Sequence, residues 1–151
     1  MIAKEYLEDI NLAGEIRLGV GIILYNHKGI LLEQRRDCGK WGLIGGRVEV
    51  GEQVEESIIR ETLEETSFRI HTNEIRMLGV FSNPLHKRII KYPDNIFHAI
   101  DIIYYLRLVE NREPIISHES LNLSFFQPEK LPIDIVPPAI IPLKQFIRSI
   151  Y

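Results

Sequence analysis

The chain has one cysteine among 151 residues, Cys38, so no internal disulfide can form and the fold has to be held by its core. No His-plus-acid arrangement lies near Cys38, which leaves it as a plain loop thiol. No segment approaches the roughly 18 consecutive apolar residues of a membrane-spanning helix. Met1 to Asp9 carries Lys4, Glu5, Glu8 and Asp9 and has no charged-then-apolar leader pattern. A cytoplasmic protein with no membrane partner is the expectation. A polybasic run is also missing and the net charge is −3, which argues against a dedicated nucleic-acid binder. There is no internal repeat and no composition shift that would mark a second domain.

What is there is ordinary in bulk. A chain that is 45% hydrophobic and 26% charged reads as a globule, and 151 residues suffice for one domain with a real core, residues 1–151.

In chain order, residues 1–14 read as a short helical lead-in ending near Gly14. Ile16 to Tyr25 is rich in β-branched residues and mostly apolar, the pattern of a central strand buried on both faces. Asn26-His27-Lys28-Gly29 is a turn, with His27 solvated, and Ile30-Leu31-Leu32-Glu33-Gln34-Arg35 returns as the second strand of a hairpin. Arg36 to Gly42 is a loop, followed by a short strand at Leu43-Ile44 that runs into Gly45-Gly46, where the backbone can approach a ligand.

From Glu52 to Thr66 there is neither Gly nor Pro, and Val54, Ile58 and Thr62 recur every four residues, so the spacing predicts a helix with one buried stripe. Glu61, Glu64 and Glu65 stand at i, i+3 and i+4 and crowd one side of its last two turns. Like charges at that spacing cost roughly 0.2–0.5 kcal/mol per pair. Acids are also disfavoured at the C-terminal end of the helix dipole. A solvated acidic face is the plain reading. The alternative is a compensating hard cation, Mg²⁺ or Mn²⁺, which takes oxygen ligands of this kind. Arg60 cannot deprotonate and adjoins the cluster, so it would hold a carboxylate in place.

Beyond this helix, polar–apolar alternation over residues 69–81 predicts a strand. Residues 82–95 read as a long polar loop with turn residues at each end, a candidate binding loop or lid. Ile96 to Val109 is the longest β-like run, and His98 and Asp101 within it are expected to make satisfied hydrogen bonds. Leu121 to Phe126 is a further strand and residues 127–134 a proline-bounded turn region. A last helix opens at Pro137 or Pro138, with Ile140, Leu143, Phe146 or Ile147, and Ile150 as its apolar stripe.

The string from Gly46 to Phe68 resembles the signature box of the Nudix hydrolases: Gly, five residues, Glu, seven residues, Arg-Glu, a hydrophobic position, any residue, Glu-Glu, any residue, Gly, hydrophobic. Gly46, Glu52, Arg60, Glu61, Glu64, Glu65 and Phe68 fall in register. Thr62 stands at the hydrophobic site and Ser67 at the final Gly. Ile44 stands where the family often has Pro. The resemblance implies an α/β fold, a Nudix-type α/β/α sandwich over a mixed β-sheet.

It also implies metal-assisted hydrolysis of a diphosphate linkage in a small-molecule nucleotide. Gly46, Glu52, Glu61, Glu64 and Glu65 would hold one to three Mg²⁺ or Mn²⁺ ions, with Glu61, Glu64 and Arg60 in the catalytic set. A further Glu on a late loop often binds metal or acts as general base in the family. Glu119 is the candidate here, with Glu113 behind it and a box carboxylate as the alternative. Arg35, Arg36, Lys40 and Arg47 flank the glycine loop and are candidates for the substrate's phosphates, or ordinary surface cations. Trp41, Tyr92 and Phe97 are candidates for stacking on a base, or structural.

Pro84, in the segment after the box, resembles a feature of ADP-ribose-hydrolysing members. The implied substrate is ADP-ribose or a nucleotide sugar, cleaved to a nucleoside monophosphate and a phosphorylated fragment. The alternatives are a nucleoside triphosphate, including an oxidised one, and a nucleotide-sensing module that does not cleave. Family members often pair, so a homodimer is among the expectations. At Ser67 the family's Gly implies a left-handed backbone.

Overall fold

The computed structural model describes residues 4–109 and 112–151. Among the described residues, nine strands form one mixed sheet: β1 Glu5–Leu7, β2 Glu15–Asn26, β3 Gly29–Arg35, β4 Trp41–Gly42, β5 Ile44–Arg47, β6 Arg76–Phe81, β7 Ile89–Tyr92, β8 Asn95–Arg107 and β9 Ser120–Phe126. The same residues hold two α-helices, α1 Val54–Thr66 and α2 Pro137–Ser149. No helix among the described residues is long and apolar enough to cross a membrane.

The centre of the sheet is the parallel pair β2–β8, in register from Glu15↔Phe97 to Tyr25↔Arg107. Every other strand pairing is antiparallel. On its outer edge β2 pairs first with β5, at Gly19 to Ile22, and then with β3, at Tyr25 and Asn26. The sheet therefore forks beside β5, and the glycines of that strand line the fork.

Alternation along the strands decides which helix each side chain meets. Val20, Ile22, Leu24 and Leu31 face α1 and pack with Ile58 in one core. Ile23, Ile30, Leu32 and Ile103 face the other way and pack with Ala139, Leu143 and Phe146 of α2. A helix on each face of a mixed sheet is the expected α/β/α arrangement. In α2 the buried positions are Ala139, Pro142, Leu143 and Phe146, while Ile150 is exposed. The expected stripe is thus correct at Leu143 and Phe146 and displaced elsewhere.

The expected loop over Arg36 to Gly42 ends in strand β4, the next strand starts at Ile44 and not Leu43, and three longer stretches also differ from the sequence reading. The lead-in is a strand and a single 3₁₀ turn (Ile10–Leu12), not a helix. β1 pairs with β7, where Lys4 sits over the Tyr6 and Tyr92 rings; three residues are too few to display a period. The 69–81 strand begins only at Arg76, because a turn closed by Glu74 N–H donating to His71 O takes up the chain before it. The 82–95 segment is not a long loop. It holds a 3₁₀ turn, Pro84–His86, and β7, which returns to β8 as a hairpin across Pro93-Asp94. Ile89 and Ile90 are buried there while Lys87 and Lys91 point outward, so the segment looks polar only from its solvent face.

Candidate active site

Helix α1 carries the site. Glu55 and Glu56 lie in its first turn, where the helix dipole favours acids. It ends at Ser67, whose φ of 65° and ψ of 10° are left-handed, with Ser67 N–H donating to Leu63 O at 2.9 Å. Thr62 is tolerated at an apolar position because its hydroxyl donates to Ile58 O at 2.7 Å, so the buried oxygen is satisfied.

The carboxylates of the box fall into two groups. One surrounds Arg60. Its guanidinium makes a two-point contact with Glu52 (Nε–Oε2 2.7 Å, Nη2–Oε1 3.0 Å) and reaches Glu61 Oε1 at 2.9 Å and Glu64 Oε2 at 3.4 Å. A fifth bond goes to the carbonyl of Arg47 at 3.2 Å. Glu52 also accepts from Glu49 N–H and Ser57 Oγ, at 2.9 and 2.8 Å. Hydrogen bonds from Arg60, Glu49 N–H and Ser57 hold its pKa down to about 2. The same contact with Glu52 raises the pKa of Arg60. Glu64 is mostly exposed and joins only this group.

The other group lines a cleft of about 750 Å³ on the α1 face, where Glu61 and Glu65 meet Gly45, Gly46 and Glu119. Glu65 is buried, 5% exposed, and its Oε2 accepts from Gly45 N–H at 3.3 Å. Burial drives its pKa well above the ordinary value, and the neighbouring carboxylates of Glu33 and Glu61 add to this against the Gly45 N–H. Burial likewise raises the pKa of Glu61, over the opposing bond from Arg60. A Cβ at Gly46 would sit 2.4 Å from the Glu61 carboxyl carbon, so any substitution there displaces that carboxylate. Glu113 lies apart from the cleft in an ion pair with Lys28.

One member of the cleft is absent from the sequence reading. Glu33 on β3 is 4% exposed and opens on the same space as Glu61 and Glu65. The signal for it was strand alternation, which sets Glu33 on the same face as Leu31, toward the helix.

Of the expected phosphate ligands, Arg35 and Arg36 line this cleft. Arg35 is held by Asp37 through two bonds of 3.0 Å each. Burial opposes its charge, but the bonds and charge of Asp37 raise its pKa all the same. Arg36 donates to the carbonyls of His118 and Ser120 at 3.0 and 3.4 Å. Arg47 and Arg35 also border a second cavity, of about 260 Å³, on the α2 face. Gly45 and Gly46 form a wall common to both. Tyr92 and Phe97 line this second cavity, stacked at 5.9 Å and 21°, and the Arg17 guanidinium lies 4.0 Å from the Phe97 ring centre. Trp41 reaches neither cavity; it packs edge-on against Phe126 at 4.9 Å in the α2-side core.

Could these residues hold a divalent cation? The donors are carboxylate and carbonyl oxygens, the set that Mg²⁺ and Mn²⁺ take. The buried Glu33 Oε2 has no hydrogen-bond partner among the described residues, and such an oxygen calls for a positive neighbour. Among the described residues no three acidic, His or Cys side chains are already gathered at coordination geometry. Arg60 holds Glu61 by one oxygen, leaving the other for a metal.

A carboxylate cleft beside helix α1, sharing a glycine wall with an aromatic and arginine-lined cavity, suits a hydrolase of acid anhydrides. The NUDIX domain family matches residues 15–147, and the chain belongs to the Nudix hydrolases. It is 30% identical over 116 residues to a Bacillus subtilis (strain 168) protein provisionally named an 8-oxo-dGTP diphosphatase, covering 77% of this chain and 69% of that protein. It is 32% identical over 114 residues to an ADP-ribose pyrophosphatase of Methanocaldococcus jannaschii, covering 74% of this chain and 62% of the relative. Among solved structures, a MutT NUDIX hydrolase from Burkholderia pseudomallei superposes with a TM-score of 0.71 at 26% identity, over 85% of this chain and 96% of the other.

Proposed function

We propose that this enzyme hydrolyses the diphosphate linkage of a nucleoside diphosphate joined to a second moiety, of the ADP-ribose or nucleotide-sugar kind. The products are a nucleoside monophosphate and a phosphorylated fragment. The observation that carries this reading is the common Gly45–Gly46 wall between the carboxylate cleft and the aromatic cavity. A substrate with its diphosphate over that wall sets its nucleoside among Tyr92, Phe97 and Arg17, and its scissile phosphates before Glu61 and Glu65. Bound Mg²⁺ or Mn²⁺ would supply neutralisation of the phosphate oxygens and a lowered pKa for the attacking water.

The protein's own residues do the rest. Glu61 and Glu65, with the Gly46 carbonyl, are the nearest oxygen donors for the cation. Arg60 fixes Glu52 and Glu61 so that their carboxylates need no reorganisation. Glu64 belongs to the catalytic set through Arg60, at its solvent side. Glu119, exposed at the cleft's opposite lip, accepts the proton of the attacking water. Arg35, Arg36 and Arg47 border the path of the phosphates.

The similarity to the Bacillus protein favours a second reading, an oxidised nucleoside triphosphate as substrate. A Mg²⁺-dependent assay against ADP-ribose, nucleotide sugars, dinucleoside polyphosphates and 8-oxo-dGTP separates the two. AMP and ribose 5-phosphate from ADP-ribose are the expected products. Release of pyrophosphate from 8-oxo-dGTP, with ADP-ribose untouched, would establish the second reading instead.

A further inference from the structure

We infer that Glu33 of β3 is a cation ligand, and that the innermost part of the cleft, between Glu33 and Glu65, is a divalent-metal position built by strand and helix together. This rests on the metal dependence proposed above and adds to it a residue outside the box.

Glu33 and Glu65 are the two buried acids of the cleft. One of its oxygens, Oε1, accepts from the Ser120 hydroxyl at 2.8 Å, which pins the carboxylate in one orientation. The other, Oε2, is buried and has no hydrogen-bond partner among the described residues. Glu65, also buried, lines the same cleft, and Glu61 shares that space with both. Two ionised carboxylates only accept, so they cannot bond to each other. Something positive has to stand between them, and the alternatives are one shared proton or a cation.

The resident cations are engaged elsewhere. Arg35 gives two bonds to Asp37, Arg36 serves two carbonyls, and Arg60 is spread over Glu52, Glu61 and Glu64. Four glutamates line the cleft, Glu33, Glu61, Glu65 and Glu119. The cleft, about 750 Å³, has room for a hydrated ion. Oxygen donors from a rigid strand and a rigid helix, one of them orphaned, suit a hard divalent ion better than a proton, which leaves the other carboxylates uncompensated.

The test is Mn²⁺ binding, followed by electron paramagnetic resonance of the free ion and by calorimetry, in the full chain without substrate. Glu33→Gln keeps the shape and the Ser120 contact but removes the charge. The expected result is loss of one Mn²⁺ equivalent, or binding weakened about 10- to 100-fold. The Mn²⁺-induced rise in Tm should shrink in parallel. Should Glu33→Gln fail to fold, Glu33→Asp retains the charge and withdraws the oxygens by one methylene, and the same weakening is expected. Unchanged Mn²⁺ stoichiometry and affinity in the folded variant would overturn the inference and leave a shared proton between the two acids. Absence of Mn²⁺ binding in the unsubstituted protein would instead overturn the parent reading along with it.

Discussion

Single residues already carry measurable consequences. Ser67 holds a left-handed backbone that costs a residue with a Cβ roughly 1 kcal/mol. Ser67→Gly should therefore raise Tm, by about 2–4 °C for a domain of this size, with kcat unchanged; differential scanning calorimetry reads it. Asp37 behaves differently. Burial favours its neutral form, but hydrogen bonds from Arg35 and the charges of Arg35 and Lys4 prevail and hold its pKa at about 2, below the ordinary 3.8. A depressed carboxylate stabilises the fold above its unfolded pKa, and that contribution fades as pH falls from 3.8 toward 2. Asp37→Asn should thus lower Tm at neutral pH and flatten the decline of Tm below about pH 4. Glu65 has the opposite sign. Its raised pKa favours the metal-free fold below the ordinary 4.5, and this is lost as pH rises through the raised value. In metal-free protein, Glu65→Gln should raise Tm at pH 8 and leave it unchanged at pH 4, while kcat falls by orders of magnitude.

At the scale of elements, α1 was legible because a thirteen-residue helix displays its period and its acids in one string. The sequence alone left Glu61, Glu64 and Glu65 together on one side. Packing separates them: Glu65 turns into the cleft, Glu64 turns to solvent, and Glu61 spans the Arg60 cluster and the cleft. Glu33 was overlooked because an acid in an apolar strand reads as a solvent-facing position unless the helix above it is known. β1 and β7 escaped for another reason. They are three and four residues long, and their partners lie far away in sequence. Trp41 was open both ways, since a lone aromatic beside a glycine loop can serve a ligand or the core, and Phe126 packs against it on the core side. The strand–helix junction at Gly46 gives the sharpest test of the element. Gly46→Ala should displace Glu61 and reduce kcat by more than a hundredfold, about 3 kcal/mol in transition-state terms, with KM changed less.

For the whole molecule, the sheet is tied to α2 by a partly buried ion pair. Arg88, 1% exposed and just before β7, donates to Asp101 Oδ2 at 2.6 Å and to the Pro138 carbonyl at 2.8 Å, joining the entry to β7 with β8 and the start of α2. The sequence reading gave Asp101 a satisfied hydrogen bond but no partner, because Arg88 lay in a segment read as loop. Removing one member strands a buried charge, so Asp101→Ala should cost about 3–5 kcal/mol in urea denaturation. A double substitution to apolar residues of similar volume should recover much of that loss.

The parallel β2–β8 register has a kinetic consequence. Glu15 must find Phe97 before either long strand has its main partner, so the central ladder closes only after most of the chain has been made or collapsed. Such a topology has high contact order, and loop-closure entropy is spent long before the sheet returns it. Refolding from urea should accordingly run in milliseconds to seconds rather than microseconds. During synthesis, the N-terminal hairpin should wait with its edge unpaired until β8 leaves the ribosome.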